Sequence, residues 1–476
     1  MERTHDVDVL IVGAGLAGLC LARQLLLATD KRIVIVDRRE VPPERQKVGE
    51  ATVQVSGYYY SRVLDLEEHL LQKHYPKYNL RFYWPTERGG SRYEELGQSY
   101  IRQLSNIMTY QLDRNVLEAE VLRLLREDPR CDVHTSISDL AVDFAEEAGP
   151  HAFRFKTVEG DEIHGQTPWV VDASGRGKFL HKKMNMARRS PIRHGTSFMW
   201  VEGNLNPERL TDLPLDAIRK RPDRSVLGHV PTFLATNHFC GEGYWFWTIP
   251  LHGKTSLGLV YEQGCVDRKE VSTPEGLVEW VCRNQPLFAR ELRQRKILGH
   301  SGFVDFALDG AETINARGWA MTGEACRFTD PLYSPGGDTI SIYNTLIVDA
   351  IRTDDRAELE KKVRYYEPLA RAVYEAYLPG FAIAYRVLGD QETFTLRYVW
   401  ELTIYFAFLV FPFINDLFTE PAFLPGFLRR FGKLGPWNRN LMTFLVRFYD
   451  WKKENLSLRT PEPVFFDFME VGALKA

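Results

Sequence analysis

Asp8-Val9-Leu10-Ile11-Val12-Gly13-Ala14-Gly15-Leu16-Ala17-Gly18 decides how the amino-terminal part of this chain folds. Val7 to Val12 is an apolar, β-branched run of the kind that forms a parallel strand buried on both faces. The glycines follow at once in the spacing G-x-G-x-x-G. Leu19 to Leu27 then repeats apolar residues at helical spacing, and Arg32 to Val36 reads as a second strand ending at Asp37. Each residue type has a physical reason. Gly13 permits a tight turn, Gly15 lets backbone approach a pyrophosphate, and Gly18 lets the helix pack close on the strand. The helix start offers free N–H groups and partial positive charge to phosphates, and Asp37 can accept hydrogen bonds from a ribose diol. Framed by strand, helix and an acid about twenty residues on, the motif predicts a dinucleotide site. It does not separate NAD from FAD.

The rest of the composition narrows the class. A chain of 476 residues predicts two or three domains. A net charge of −3 argues against nucleic acid as a partner, since phosphate binding wants a basic surface. Cys20, Cys131, Cys240, Cys265, Cys282 and Cys326 are widely spread, which reads as free thiols in a reducing compartment. Glu2 and Asp6 precede a short apolar run, unlike the basic start of an export signal. The most apolar window, Thr403 to Ile414, contains Pro412 and falls short of the ~20 residues a spanning helix needs. The expected location is the cytoplasm. The histidines show no paired ligand spacing, so no metal is expected.

Three later segments, in order, resemble the hydroxylase-like FAD superfamily. Gln111 to Leu125 resembles its Q-x-D-R helix, in which Gln111 and Arg114 would contact the cofactor; the alternative is an amphipathic helix with Arg114 in solvent. Trp169 to Gly175 is an apolar strand ending in Asp172, with Ala173 and Ser174 before the glycine. Gly318 to Ala325 resembles the second flavin motif, with Gly323 and with Glu324 in place of Asp.

Trp245-Phe246-Trp247-Thr248-Ile249-Pro250 adds a more specific resemblance, to flavin-dependent halogenases. Val48-Gly49-Glu50-Ala51-Thr52 is similar to their V-G-E-A-T stretch. Lys77, followed by Phe82 and Trp84, matches their lysine pattern, whereas Lys47 and Lys73 do not. Phe328 to Gly337 matches F-x-x-P-x-x-S-x-G through Phe328, Pro331, Ser334 and Gly336. The resemblance implies that FADH2, O2 and halide yield hypohalous acid, which reaches a separate substrate pocket. There Lys77 delivers the halogen, by hydrogen bond or as a haloamine. A lysine in a dry tunnel would have a lowered pKa, because burial disfavours its charge. Ser334 with Pro331, Gly336 and Gly337 would line the flavin and halide pocket, and Trp245 and Trp247 would wall the passage. Reduced flavin would come from a separate flavin reductase.

Two positions depart from the family pattern. Tyr333 stands where tryptophan halogenases carry a glutamate, which points toward a phenol-like ring. Pro335 has no N–H to give a halide, and one lost donor at an anion site costs about 1–3 kcal/mol.

The expected fold is α/β: a Rossmann-type FAD domain of the hydroxylase-like flavoprotein class (1–190 and 300–352), a β-sheet substrate layer (191–299) and a helical C-terminal region (353–476). Within it, Tyr58 to His74 reads as one helix, and strands are expected over Gly228 to Tyr261. The aromatic C-terminal region reads either as a cap over a small aromatic or carrier-tethered substrate, or as a lipid or peripheral membrane contact. Two rival functions stay open on the sequence: an FAD-dependent monooxygenase without halide use, and a flavin-carrying binding protein.

Overall fold

Val9–Val12 lies near the middle of a six-stranded sheet, and all four of its residues are buried. In order across the sheet come Ile314–Asn315, Trp319–Met321, Trp169–Asp172, Val9–Val12, Ile33–Val36 and Cys131–His134. The neighbours are parallel except for the first pair. This is the sheet that the β-branched runs predict. The structure is a computed structural model and describes residues 3–4, 6–101, 103–146, 149–220 and 232–468. The Gly228 to Pro231 part of the expected strand region lies outside the described residues.

The Leu16–Ala28 helix follows the glycine turn and packs against the helices Arg114–Glu127 and Pro335–Ile351. Two sequence expectations shift here. Gln111 ends a strand, Thr109–Gln111, and the helix starts at Arg114, because the Asp113 carboxylate caps it by accepting the Asn115 N–H at 3.1 Å. Tyr58 to His74 is not one helix. Gln54–Tyr58 widens through Tyr59–Val63 and stops, Asp65 turns left-handed at φ 56°, and Glu67–Lys73 starts anew. A short polar side chain makes Asp one of the few residues that tolerate that turn.

An eight-stranded sheet covers the nucleotide domain. Its order is Ile297–Phe303, His194–Glu202, Lys254–Glu262, Tyr244–Leu251, Thr236–Gly241, Leu80–Pro85, Leu96–Tyr100 and Phe465–Asp467. Strand alternation splits the W-F-W run. Trp245, Trp247 and Ile249 share a cluster with Phe82, Phe198 and Trp200 on one face. Phe246 joins Leu257, Leu259 and Phe288 on the other. Gly258 pairs with Trp247 across the strands, and a Cβ there would fall 2.1 Å from the indole. The missing side chain lets Trp247 lie across its neighbour.

The helices Arg356–Ala382, Gln391–Ile404 and Leu424–Asn455 complete the chain. They are tied to the substrate layer: Phe394, Tyr398 and Leu402 sit in the same cluster as the two tryptophans. Trp437, Phe444 and Trp451 stay more than half exposed at 62 %, 58 % and 51 %.

Candidate active site

The glycine turn does what its sequence requires. Gly13 has φ +117°, and a Cβ there would stand 2.4 Å from the Ala173 carbonyl oxygen. Gly18 packs equally tightly, 2.1 Å from the Gly13 oxygen by the same construction, whereas a Cβ on Gly15 would meet nothing within 4 Å. Backbone at Gly15 therefore lies open in front of a 13-residue helix whose first N–H groups carry no side-chain cap. Asp37 braces the turn, accepting the Ala14 N–H at 2.9 Å. Open space, free donors and an acid at the strand end fit the pyrophosphate and ribose of a dinucleotide.

Beside this turn is a cavity of about 180 Å³. Its lining brings together Arg114, Trp245, Trp247, Gly323, Glu324, Pro331, Ser334, Gly336 and Gly337 with Val48 to Thr52. Segments far apart in sequence thus converge on one space, large and apolar enough on one side for a flavin ring. Arg114 is not in solvent: it donates to the Val48 carbonyl at 3.0 Å and to Glu118 at 2.9 Å.

Two predicted cofactor ligands face elsewhere. Gln111 donates to the Leu234 carbonyl at 3.0 Å and is not among the lining residues, because its strand points it at the neighbouring loop. Asp172 is fully buried, and both carboxylate oxygens accept backbone N–H groups, from Ser174 at 2.9 Å and Leu180 at 2.7 Å. It fixes the turn after its strand and does not reach the cavity.

Phe328 to Gly337 forms the wall between this cavity and a second one. Tyr333 and Ser334 both hold left-handed backbones, φ 69° and 60°. The Pro335–Ile351 helix begins directly after them. Pro335 occupies its first position, where an N–H has no intrahelical acceptor in any case. The N–H groups of Gly336 and Gly337 remain in the first turn, at the positive end of the helix dipole. The proline therefore removes one donor and leaves the glycine pair.

Lys77 lines the second cavity, of about 50 Å³, together with Val53, Tyr333, Tyr377, Tyr398, Glu401 and Tyr405. Its placement follows from local structure. Tyr75–Lys77 pairs antiparallel with Thr109–Gln111, and Asn79 (φ 62°) then turns the chain into the large sheet. Lys77 is 4 % exposed and donates to the Thr52 carbonyl at 2.7 Å. Burial pushes its amine down to about 7, opposed by the nearby Asp338 carboxylate. Trp245 and Trp247 line only the first cavity, so they wall the flavin side and not the chamber around Lys77.

No family model matches the chain. It is 24 % identical over 449 residues to the flavin-dependent halogenase chlA of Dictyostelium discoideum, covering 88 % of this chain and 72 % of that one. The solved structure of halogenase PltM has the same fold, with a TM-score of 0.67 at 15 % identity over 94 % of this chain and 96 % of that one. The chain belongs to the flavin-dependent halogenase family. A further relative, the 1H-pyrrole-2-carbonyl-(peptidyl-carrier protein) chlorinase of Pseudomonas fluorescens, is 22 % identical over 413 residues, 80 % of this chain and 84 % of its own.

In this halogenase-family chain several polar groups escape motif reading. Glu50, inside V-G-E-A-T, is buried and accepts from the Trp200 indole at 2.6 Å and the Ser256 hydroxyl at 3.2 Å. Burial pushes its carboxyl up to about 7. His238 stacks on Phe82 at 4.7 Å beside Trp245, and burial lowers its ring to about 3, so it stays neutral. Asp338 accepts the Ser56 N–H at 2.8 Å and faces Lys77; burial raises it to about 6. Glu401 comes from the C-terminal region, paired with Arg397 at 3.1 Å. A charged i,i+4 pair inside an aromatic run is the sequence signal that marks it.

Proposed function

We propose that this protein is a flavin-dependent halogenase that places halogen on a small, electron-rich, phenol-like ring. One observation carries the reading: a buried amine titrating near neutrality lines a closed chamber that shares a two-residue wall, Tyr333–Ser334, with the cavity beside the dinucleotide turn. The titled structures of the neighbour PltM include complexes with FAD and with phloroglucinol and FAD.

FAD, bound in reduced form, supplies the O2-dependent oxidation of halide to hypohalous acid. Gly15 and the first turn of Leu16–Ala28 would hold its pyrophosphate, Asp37 its ribose, and Arg114 and Glu324 its remaining polar edge. The N–H groups of Gly336 and Gly337 would bind halide. Trp245, Trp247 and His238 keep the first cavity apolar and uncharged, which keeps water from consuming the oxidant. Hypohalous acid passes the Tyr333–Ser334 wall, and the Lys77 ammonium hydrogen-bonds its oxygen, leaving the halogen turned to the ring. Tyr333 in place of an acid, and a chamber of about 50 Å³, favour a free single ring over a long tethered one. A carrier-tethered pyrrole, the substrate of the chlorinase relative, is the other substrate class the family offers.

Reduced FAD comes from a separate reductase in this proposal, and the cysteines, all free among the described residues, favour a reducing cytoplasm. The exposed Trp437, Phe444 and Trp451 motivate a peripheral lipid contact as a subsidiary proposal. The decisive experiment supplies FADH2, O2 and chloride or bromide to the protein with a phenol panel. Halide-dependent product supports the reading; oxygenated product at the same rate without halide would favour the monooxygenase reading.

A further inference from the structure

Beyond Lys77, the second cavity has one other side chain able to move a proton in the range a phenol needs, and it comes from outside every family motif. Glu401 sits on the Gln391–Ile404 helix and lines the chamber with Lys77. Its two oxygens take the Arg397 Nε at 3.1 Å each, a fork that fixes the carboxylate. Gly380 makes room for it: a Cβ there would stand 2.1 Å from a Glu401 oxygen. The Tyr333 hydroxyl lies beside the same carboxyl. So the residue that replaces the family's glutamate delivers, through its ring, contact to a carboxylate arriving from the far end of the chain.

We propose that Glu401 is the base that takes the phenolic proton of the substrate while Lys77 presents the halogen. This rests on the halogenase reading above, which supplies hypohalous acid as the oxidant. A ring filling a chamber this small touches both residues. In the first step a ring carbon attacks the halogen. The carbon–halogen bond forms and the halogen–oxygen bond breaks. The phenolic proton passes to Glu401, and the Lys77 ammonium protonates the departing hydroxide to water. In the second step the ring carbon gives its proton to the now neutral Lys77, and Glu401 returns its proton to the phenolic oxygen. The net change is phenol plus hypohalous acid to halophenol plus water, with both residues restored. Burial raises the Glu401 carboxyl, which strengthens it as a base, and Arg397 opposes that rise enough to keep it ionisable.

The test uses the full-length protein. First, 4-nitrophenol is bound to wild type one unit below its solution pKa. The proposal expects the yellow phenolate band in the bound probe; a bound probe that stays neutral overturns it, and this needs neither flavin nor a variant. Second, Glu401→Gln is expected to lower phenol halogenation about 100-fold and to remove the acidic limb of the pH–rate profile, while Glu401→Asp restores that limb. An E401Q enzyme with wild-type rate and profile overturns the proposal. As a control on the underlying reading, wild type with FADH2, O2 and bromide but no phenol must release trappable hypohalous acid. Its absence would fail the halogenase reading itself and not the assignment of Glu401.

Discussion

Tyr333 and Ser334 are adjacent in sequence yet face different cavities, Tyr333 the chamber of Lys77 and Ser334 the space beside the dinucleotide turn. Both pay for this with left-handed backbones at φ 69° and 60°. For non-glycine residues that geometry costs about 1–2 kcal/mol each. Stored strain of this kind collects where a site needs a fixed wall. Ser334→Gly relieves the strain, so thermal unfolding is expected to show a gain of up to about 1 kcal/mol, reduced by the greater freedom of glycine in the unfolded chain. The same variant should lose at least tenfold in halogenation as the wall loosens. Lower stability with unchanged turnover would contradict the strained-wall account.

The second prediction concerns Lys77. Its amine titrates near 7 because burial disfavours the charge. The proposed form is the ammonium, so turnover should fall as pH rises through about 7. Lys77→Met should cost about 10²-fold or more. Lys77→Arg should fare little better, since a guanidinium does not release its proton. FAD binding, followed by flavin fluorescence, should survive both. A rate that climbs through pH 7 would instead make the neutral amine the reacting form.

Glu50 predicts a signature in stability. Its folded carboxyl is raised to about 7 by burial, above the unfolded value near 4.5. As pH rises from the lower value, the unfolded chain loses its proton first, and the native state loses stability until the folded group also ionises near 7. Glu50→Gln keeps an acceptor for the Trp200 indole and has no charge to bury. Denaturant unfolding at pH 5 and pH 8 should show the variant gaining about 1–3 kcal/mol relative to wild type between the two. An equal difference at both pH values would refute a buried, late-titrating Glu50.

Much of this site is legible in the sequence because it is local. The strand, glycine turn, helix and Asp37 announce one another, and the segments at 48–52, 323–324 and 328–337 each carry their own pattern and meet at the first cavity. What is not legible is non-local. Gln111 looks like a flavin ligand by motif, but strand pairing with Tyr75–Lys77 decides where its side chain goes. Asp172 sits at the right strand end, yet two backbone N–H groups take its oxygens first. Glu401 lies over 320 residues from Lys77, and only the packing of the C-terminal helices against the large sheet puts them in one chamber.

The last prediction concerns Pro335 and the halide. The sequence suggests a weakened anion site, because proline lacks a donor. The structure limits that loss to the first helical position, where the remaining N–H groups of Gly336 and Gly337 still point out of the helix end. An alanine there would add one N–H on the same axis. A net hydrogen bond to an anion is worth about 1.5–3 kcal/mol when well formed, and the first position is only partly aligned. Pro335→Ala should therefore lower the bromide KM by roughly tenfold, with the phenol KM unmoved. The fold should tolerate the change, since proline at this position gains only a preset φ. If the halide dependence of the rate stays the same while unfolding is unaffected, the halide is not held at this helix start, and its binding must be sought elsewhere on the first cavity's wall.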